Sequence, residues 1–129
     1  MREGVMRDQK LWSFHILAGI AVGLLLGLHM IIMHLDRTFG IFNPAGGKPI
    51  AWANVAARSQ SAWFTAGYIL LLGAALYHGL YGFRNILFEL SPPPGLKKAI
   101  NVLFFLGGLG LFALGTWAAV AGCLTARAL

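Results

Sequence analysis

The chain has 129 residues, of which 58% are apolar and only 11% are charged, and its mean hydropathy is +0.73. A soluble domain of this size needs far more polar surface, so the composition excludes one and predicts a single membrane domain over residues 1–129. The formal net charge of +6 would suggest nucleic acid in a soluble protein, but the ten Lys and Arg residues lie at the ends of apolar runs, so we expect a lipid bilayer as partner and no nucleic acid.

The first apolar run extends without a charge from Leu11 to Leu35, between Lys10 and Asp36. It is longer than the roughly 20 residues that cross a bilayer as a helix, and backbone groups cannot stay unpaired in lipid. We therefore predict a transmembrane helix over about residues 11–35. Its length and its three histidines argue against a signal peptide. Residues 39–47 then read as a loop, and residues 50–58 as a short helix at the membrane surface.

Two further runs complete the membrane domain. The second, Ser59 to Phe83, is extended by good helix sequence and predicts a helix over about 59–90, which the segment 91–95 (Ser-Pro-Pro-Pro-Gly) then stops. The third, Ala99 to Ala126, predicts a helix over about 97–125. Six of the ten basic residues fall on the side of the N-terminus and four on the other, so the positive-inside rule favours a cytoplasmic N-terminus.

The candidate chemistry lies in four histidines. An ionisable side chain inside a bilayer is costly, so its first interpretation is functional. His15 and His34 lie near helix ends, where contact with headgroups or water explains them equally well. His29 and His78 are enclosed by apolar sequence, which favours a metal-centred cofactor or a proton relay. The single Cys123 excludes a cysteine-ligated iron–sulfur cluster within this chain.

Helix geometry separates the two deep histidines. With helix midpoints at Gly23 and Leu71, His29 lies about 9 Å towards the outer side and His78 about 10 Å towards the inner side, at 1.5 Å per residue. Two axial ligands of one haem iron must lie at nearly the same depth. We therefore expect His29 and His78 to serve different haems, each iron taking its second ligand from another chain. A four-helix bundle formed by two subunits meets that need, so we predict an all-α membrane fold in which this chain is half of the bundle.

Each of the first two helices presents a distinctive face. Glycines at positions 19, 23 and 27 form a stripe beside the face shared by His15 and His29, which favours close packing of another helix over the approach of a flat cofactor. On the second helix one face carries His78, Gly82, Asn85 and Glu89.

Three segments together carry a resemblance to a known family: Ser13-Phe14-His15 followed by Gly19, Leu28-His29-Met30-Ile31-Ile32-Met33-His34, and Tyr77-His78-Gly79-Leu80-Tyr81-Gly82. Over residues 11–122 the chain resembles the membrane anchor (cytochrome b) subunit of succinate dehydrogenases and quinol:fumarate reductases, in its two-haem type. The family pattern is a histidine near the start of helix one, His-x4-His near its end, and His-x3-Gly in helix two.

The resemblance implies that His29 is an axial ligand of a distal b haem and His78 of a proximal one, two haems shared with a second anchor subunit. The resemblance further implies two partners, a flavoprotein subunit and an iron–sulfur subunit. Electrons from the tricarboxylic acid cycle would pass through them to membrane quinone, which is expected to be menaquinone. The chain would be a non-catalytic subunit in a bacterial or archaeal inner membrane. The chain departs from some family members, which carry an acidic residue early in helix two. The polar residues there in this chain are Thr65 and Tyr68, so the distal quinone site stays unassigned.

At the cytoplasmic end, Ser13, His15, Asn85 and Glu89 are predicted to form a polar pocket. Such a pocket would bind a quinone headgroup, with His15 or Glu89 exchanging protons, or would hold haem propionates through His15 and Asn85. A solvated helix end that docks on the iron–sulfur subunit explains the same residues.

Three other functions remain open on the sequence. The chain could anchor a different quinone-linked oxidoreductase, such as a hydrogenase or formate dehydrogenase, which the co-purifying subunit would distinguish. It could be a structural subunit without haem, which would lack a Soret band. A transporter is disfavoured, because only two ionisable side chains lie deep and no helix is evidently broken.

Overall fold

A computed structural model describes residues 2–34 and 46–128 of the chain, with side chains from Asp8 onward. This part of the chain forms four helices and no strand: α1 (Arg2–His34), α2 (Trp52–Ser59), α3 (Ala62–Glu89) and α4 (Pro94–Ala128). Three of them, α1, α3 and α4, are long and apolar enough to span a membrane, which confirms the predicted three-helix membrane fold. The predicted loop at 39–47 lies mostly outside the described residues.

The helix ends differ from the predicted ones where polar sequence forms helix outside the apolar run. Helix α1 begins at Arg2 rather than near Leu11, since the residues before Leu11 include good helix formers and water can solvate them. Helix α3 ends at Glu89, followed by Ser91 in the left-handed region (φ 51°) and the prolines. Helix α4 begins at Pro94, a residue well suited to the first helical turn because its nitrogen has no hydrogen to leave unpaired.

The three long helices lie in a row with α3 in the middle. Both α1 and α4 pack against α3, and within the described residues they do not contact each other. The α3–α4 contact relies on small residues: a Cβ at Gly108 would lie 2.8 Å from Cδ1 of Leu80, and Gly115 likewise leaves room for Leu72. Close approach at glycines is how membrane helices gain packing contacts when lipid is as apolar as their side chains.

Helix α2 occupies the position of the predicted short surface helix and is fixed by buried polar groups. Asn54 is fully buried, and its Nδ2 donates to the carbonyls of Gly46 (2.9 Å) and Lys48 (3.1 Å). Arg58 donates to the carbonyl of Pro49 at 2.6 Å. These bonds satisfy loop carbonyls beside the C-terminal end of α4, where Gln60 donates to the carbonyl of Ala126 at 2.8 Å.

Most of the surface of the long helices is exposed within this chain. The apolar windows of α3 and α4 contain no buried residue, and among the described residues the buried apolar side chains are Ile32, Cys123 and Ala126. A row of apolar helices with two open faces is stable only in lipid or against further helices, because large exposed apolar surfaces are not tolerated in water.

Candidate functional site

His15 of α1 and His78 of α3 meet face to face where these two helices cross. Their ring centroids are 4.2 Å apart and the ring planes differ by 4°. Both side chains are half-buried. Because α1 and α3 run in opposite directions, this places the N-terminal part of α1 at the depth of the C-terminal part of α3.

Two glycines make room for the two rings. A Cβ at Gly19 would lie 2.8 Å from Cε1 and 3.0 Å from Nδ1 of His78, and a Cβ at Gly82 would lie 3.1 Å from Cε1 of His15. Each histidine thus occupies a niche that a glycine of the opposite helix leaves open. The other members of the predicted stripe, Gly23 and Gly27, have open space where a Cβ would stand, so only Gly19 serves this helix contact.

The ring of His78 is oriented by the backbone of α1. Its Nδ1 lies 3.1 Å from the carbonyl oxygen of His15. A carbonyl only accepts, so Nδ1 carries the hydrogen and donates it, which leaves the lone pair on Nε2. That Nε2 is neither enclosed nor bonded within the described part of the chain. A histidine whose Nδ1–H is donated to a carbonyl and whose Nε2 is free has the arrangement of a metal ligand.

The two stacked histidines cannot share one iron. Two axial imidazoles each direct a nitrogen at an iron between them, whereas His15 and His78 face each other with their flat surfaces 4.2 Å apart. His29 follows His15 by 14 residues of the same helix, about 21 Å along its axis. His29 and His78 therefore lie at different depths, and among the described residues neither His15 nor His29 can be the second axial ligand of an iron bound by His78.

His29 lies near the other end of the α1–α3 pair, against Tyr68. The two rings meet edge to face, with centroids 5.9 Å apart and planes at 75°. A groove of about 240 Å³ opens beside them, and its wall is formed by aromatic and aliphatic side chains of α1 and α3. The Nδ1 atom of His29 is enclosed without a hydrogen-bond partner among residues 2–34 and 46–128. The Nδ1 atom of His78 is paired with a backbone carbonyl, whereas the Nδ1 atom of His29 is left for a group from outside the described residues to pair.

The residues of the predicted polar pocket lie near one end of the α1–α3 pair but make separate contacts. Ser13 is exposed and donates to the carbonyl of Gln9 at 3.0 Å. Asn85 is half-buried and accepts from Arg84 at 3.0 Å. Glu89 is exposed at the end of α3. His15 packs on His78 and has an enclosed Nδ1 without a partner in the described chain.

Arg84 was not predicted as a site residue, and in the structure it ties α3 to α4 at this end. Its Nε donates to Oδ1 of Asn101 at 2.5 Å, and its guanidinium lies 4.2 Å from the centroid of the Phe88 ring. The spacing of Arg84 and Phe88 by four residues on one helix was a readable signal for this contact. The partner on α4 was not readable, because it depends on how the two helices pack.

The hydrogen-bond partner of Tyr77 was likewise not predictable from the sequence, because it depends on how α1 and α3 pack. The Tyr77 hydroxyl donates to the carbonyl of Leu11 at 2.9 Å, one turn before His15 on α1. Tyr77 and His78 are therefore consecutive residues of α3 that both donate to carbonyls of α1. Tyr81, one turn on, lies 5.2 Å from the ring of His15 at 44°.

The described residues do not contain a group of three or more His, Cys, Asp or Glu side chains that could hold a metal ion. A bare ion needs several protein ligands, whereas a haem iron takes four from the macrocycle and only its axial ligands from protein. Single histidines in an apolar helix pair are thus compatible with haem and do not suit a free metal ion held by the described residues alone.

Comparison with known proteins gives one finding. The family described as "Succinate dehydrogenase/Fumarate reductase transmembrane subunit" matches residues 4–107. Neither the curated proteins nor the solved structures give a match. Because the match spans most of the chain, including nearly all of α1, the whole of α3 and all four histidines, the chain belongs to this family. The resemblance inferred from the sequence is confirmed at that level.

Proposed function

We propose that this transmembrane subunit of the succinate dehydrogenase/fumarate reductase family binds b-type haem through His78 and His29 and helps pass electrons between an iron–sulfur subunit and membrane quinone. The observation that carries the proposal is the bond from Nδ1 of His78 to the carbonyl of His15, at 3.1 Å. It fixes the tautomer and the ring orientation that an iron ligand requires.

The residues around His78 fit a haem in their chemistry. Nε2 would be the atom that binds iron. It is not enclosed and has no hydrogen-bond partner among the described residues, while the helix faces around it are apolar. Haem, when bound, supplies a one-electron iron centre whose potential depends on its axial ligands, their hydrogen bonds and burial. The chain's own contribution is to present Nε2 in a fixed direction and to keep Nδ1 protonated through the α1 carbonyl.

His29 is proposed as the ligand of a second haem, nearer the opposite face of the membrane. Its separation from the level of His78, about 14 helical residues or 21 Å, supports two cofactors rather than one. The enclosed Nδ1 of His29 has no partner within the described residues, so we expect a neighbouring subunit to provide an acceptor for it. This makes the His29 site dependent on assembly to a greater degree than the His78 site.

A second anchor subunit is proposed to provide the remaining axial ligands. The row of α1, α3 and α4 leaves both faces of the α1–α3 pair exposed, and the histidines reach the surface of this pair rather than a closed core. A four-helix arrangement with a partner would bury those faces and bring a histidine to the free side of each iron.

Family membership supports a route for electrons, in either direction, between soluble subunits and membrane quinone. A flavoprotein subunit would exchange electrons with succinate or fumarate, and an iron–sulfur subunit would connect it to the cytoplasmic end of this chain. Quinone, proposed to be menaquinone, would exchange electrons within the membrane. His15, Ser13, Asn85 and Glu89 remain the proposed contacts for haem propionates or a quinone headgroup at that end. The proposed setting is a bacterial or archaeal inner membrane with the N-terminus in the cytoplasm.

Purification of the chain with its natural partners tests the function. A pyridine haemochrome assay should find b haem in the complex, and mass spectrometry should find a flavoprotein, an iron–sulfur protein and a second membrane subunit. A complex with those partners but no haem would leave a structural anchor and refute the proposed cofactor role. A metal-hydride enzyme in place of the flavoprotein would refute the assignment to succinate or fumarate chemistry.

A further inference from the structure

We propose that His15 is a positioning residue, whose ring restricts rotation of the His78 imidazole about its Cβ–ring bond and so holds the plane of that imidazole at one angle. This inference rests on the proposed function, since it concerns the ligand through which that function would work. It assigns to the His15 side chain a role played by its flat face rather than by its nitrogens.

Three contacts restrict rotation of the His78 ring. One face is covered by the ring of His15, at 4.2 Å and 4°. The Nδ1 edge is held by the carbonyl of His15 at 3.1 Å. The adjoining Cε1 edge faces Gly19, where even a methyl carbon would come within 2.8 Å. Rotation about the bond between Cβ and the ring would break the hydrogen bond, lose the stacking contact and drive ring atoms into α1.

His15 is itself held in place, so it can act as a support. Its Cε1 edge faces the niche at Gly82, where a Cβ would lie at 3.1 Å, and the ring of Tyr81 lies 5.2 Å away at 44°. Its Nδ1 is enclosed and has no partner within the described residues. The ring of His15 therefore contacts its neighbours through its flat face and its Cε1 edge, and not through a hydrogen bond of Nδ1.

The angle of an axial imidazole matters because its π orbitals overlap with particular iron d orbitals. Turning the ring changes the energies of those orbitals, and with them the low-spin ferric electron paramagnetic resonance (EPR) spectrum and the midpoint potential. The carbonyl that accepts from His78 belongs to the backbone and survives any change of the His15 side chain. Substitution of that side chain therefore isolates the contribution of the ring.

The test compares His15→Ala with His15→Phe in the complex purified with its partner subunits. His15→Ala removes the stacked ring and should shift or broaden the low-spin ferric EPR signal of one haem, with a change in its midpoint potential. His15→Phe keeps a flat ring without nitrogens and should retain the wild-type EPR signal, which reports the angle of the His78 ring. The midpoint potential of this variant is not the criterion, because the His15 nitrogens are also proposed contacts for the haem propionates. Gly19→Ala should disturb the same signal by pushing the His78 ring, whereas the matched Gly23→Ala, whose new methyl meets no atom of the described chain, should not.

The outcomes separate this inference from the proposed function. Haem absent from the wild-type complex would refute both. Haem present, with the spectrum and potential unchanged in His15→Ala, would refute the positioning role alone. Equal shifts of the EPR signal in His15→Ala and His15→Phe would show that the imidazole nitrogens matter, and would overturn the claim that the ring face suffices. If His15→Ala fails to assemble, the comparison of Gly19→Ala with Gly23→Ala decides, since equal spectra in those two variants contradict the fixed angle.

Discussion

Replacement of Tyr77 by Phe removes one bond between the helices that carry the site. The hydroxyl of Tyr77 donates to the carbonyl of Leu11 at 2.9 Å, within the usual range for such a bond. An interhelical bond of this kind contributes about 0.6 kcal/mol on average in a bilayer, and up to roughly 1.7 kcal/mol. The Leu11 carbonyl also accepts within α1 from the amide four residues on, so the substitution leaves no acceptor orphaned.

We therefore expect Tyr77→Phe to destabilise the α1–α3 pair by about 0.5–1 kcal/mol, the lower part of that range. Tyr81→Phe is the matched control, because Tyr81 lies one turn away on α3 and its hydroxyl makes no hydrogen bond within the described residues. Reversible unfolding of the purified subunit in mixed detergent micelles, followed by circular dichroism, measures both variants against the wild type.

Equal stability of Tyr77→Phe and Tyr81→Phe would refute the reasoning, because it would mean that the Tyr77–Leu11 bond does not hold α1 against α3. A loss of more than about 2 kcal/mol for Tyr77→Phe would also contradict it, since a single bond whose acceptor keeps another donor cannot be worth that much.

Three further predictions follow from the same structure. With the N-terminus in the cytoplasm, a thiol reagent added to the cytoplasmic side should label Lys97→Cys and not Lys48→Cys, and the reverse pattern would invert the topology. His29→Ala should remove one haem from the assembled complex and leave the spectrum of the other, whereas an unchanged haem content would exclude His29 as a ligand. Gly108→Leu should separate α4 from α3 and lower the free energy of unfolding in detergent by about 1–3 kcal/mol. Gly107→Leu, which enters open space in this chain, should not, and equal losses of stability would contradict the packing of α3 on α4.

The membrane fold was predictable because length and apolar character alone decide which segments cross a bilayer. The start of α1 at Arg2 was not, because the segment before Leu11 lies beyond the apolar run and forms helix by propensity. The arrangement of the helices in a row was also beyond the sequence. Lipid-facing and partner-facing surfaces are equally apolar, so hydrophobic pattern does not show which faces of α1, α3 and α4 meet.

The candidate site was predictable in part for a similar reason. Helical rise alone indicated that His29 and His78 lie at different depths, and in the structure His78 indeed lies beside His15. The stacking of His15 on His78 and the bond to the α1 carbonyl depend on the register between two helices, which no single-helix pattern encodes. Helical spacing placed Gly82 on the same face as His78, but the ring that occupies its niche is that of His15 on the other helix.

The assignment of His78 is tested most directly by counting haems in the complex with its natural partners. His78→Gly should lose one b haem per complex, and added imidazole should restore it by binding in the vacated niche. His34→Ala should retain the wild-type haem content. His34 is the matched control because, within the described residues, its Nδ1 bonds to the carbonyl of Met30 in its own helix, at 3.2 Å. Full haem content in His78→Gly without imidazole, or the loss of a haem in His34→Ala instead, would contradict the account.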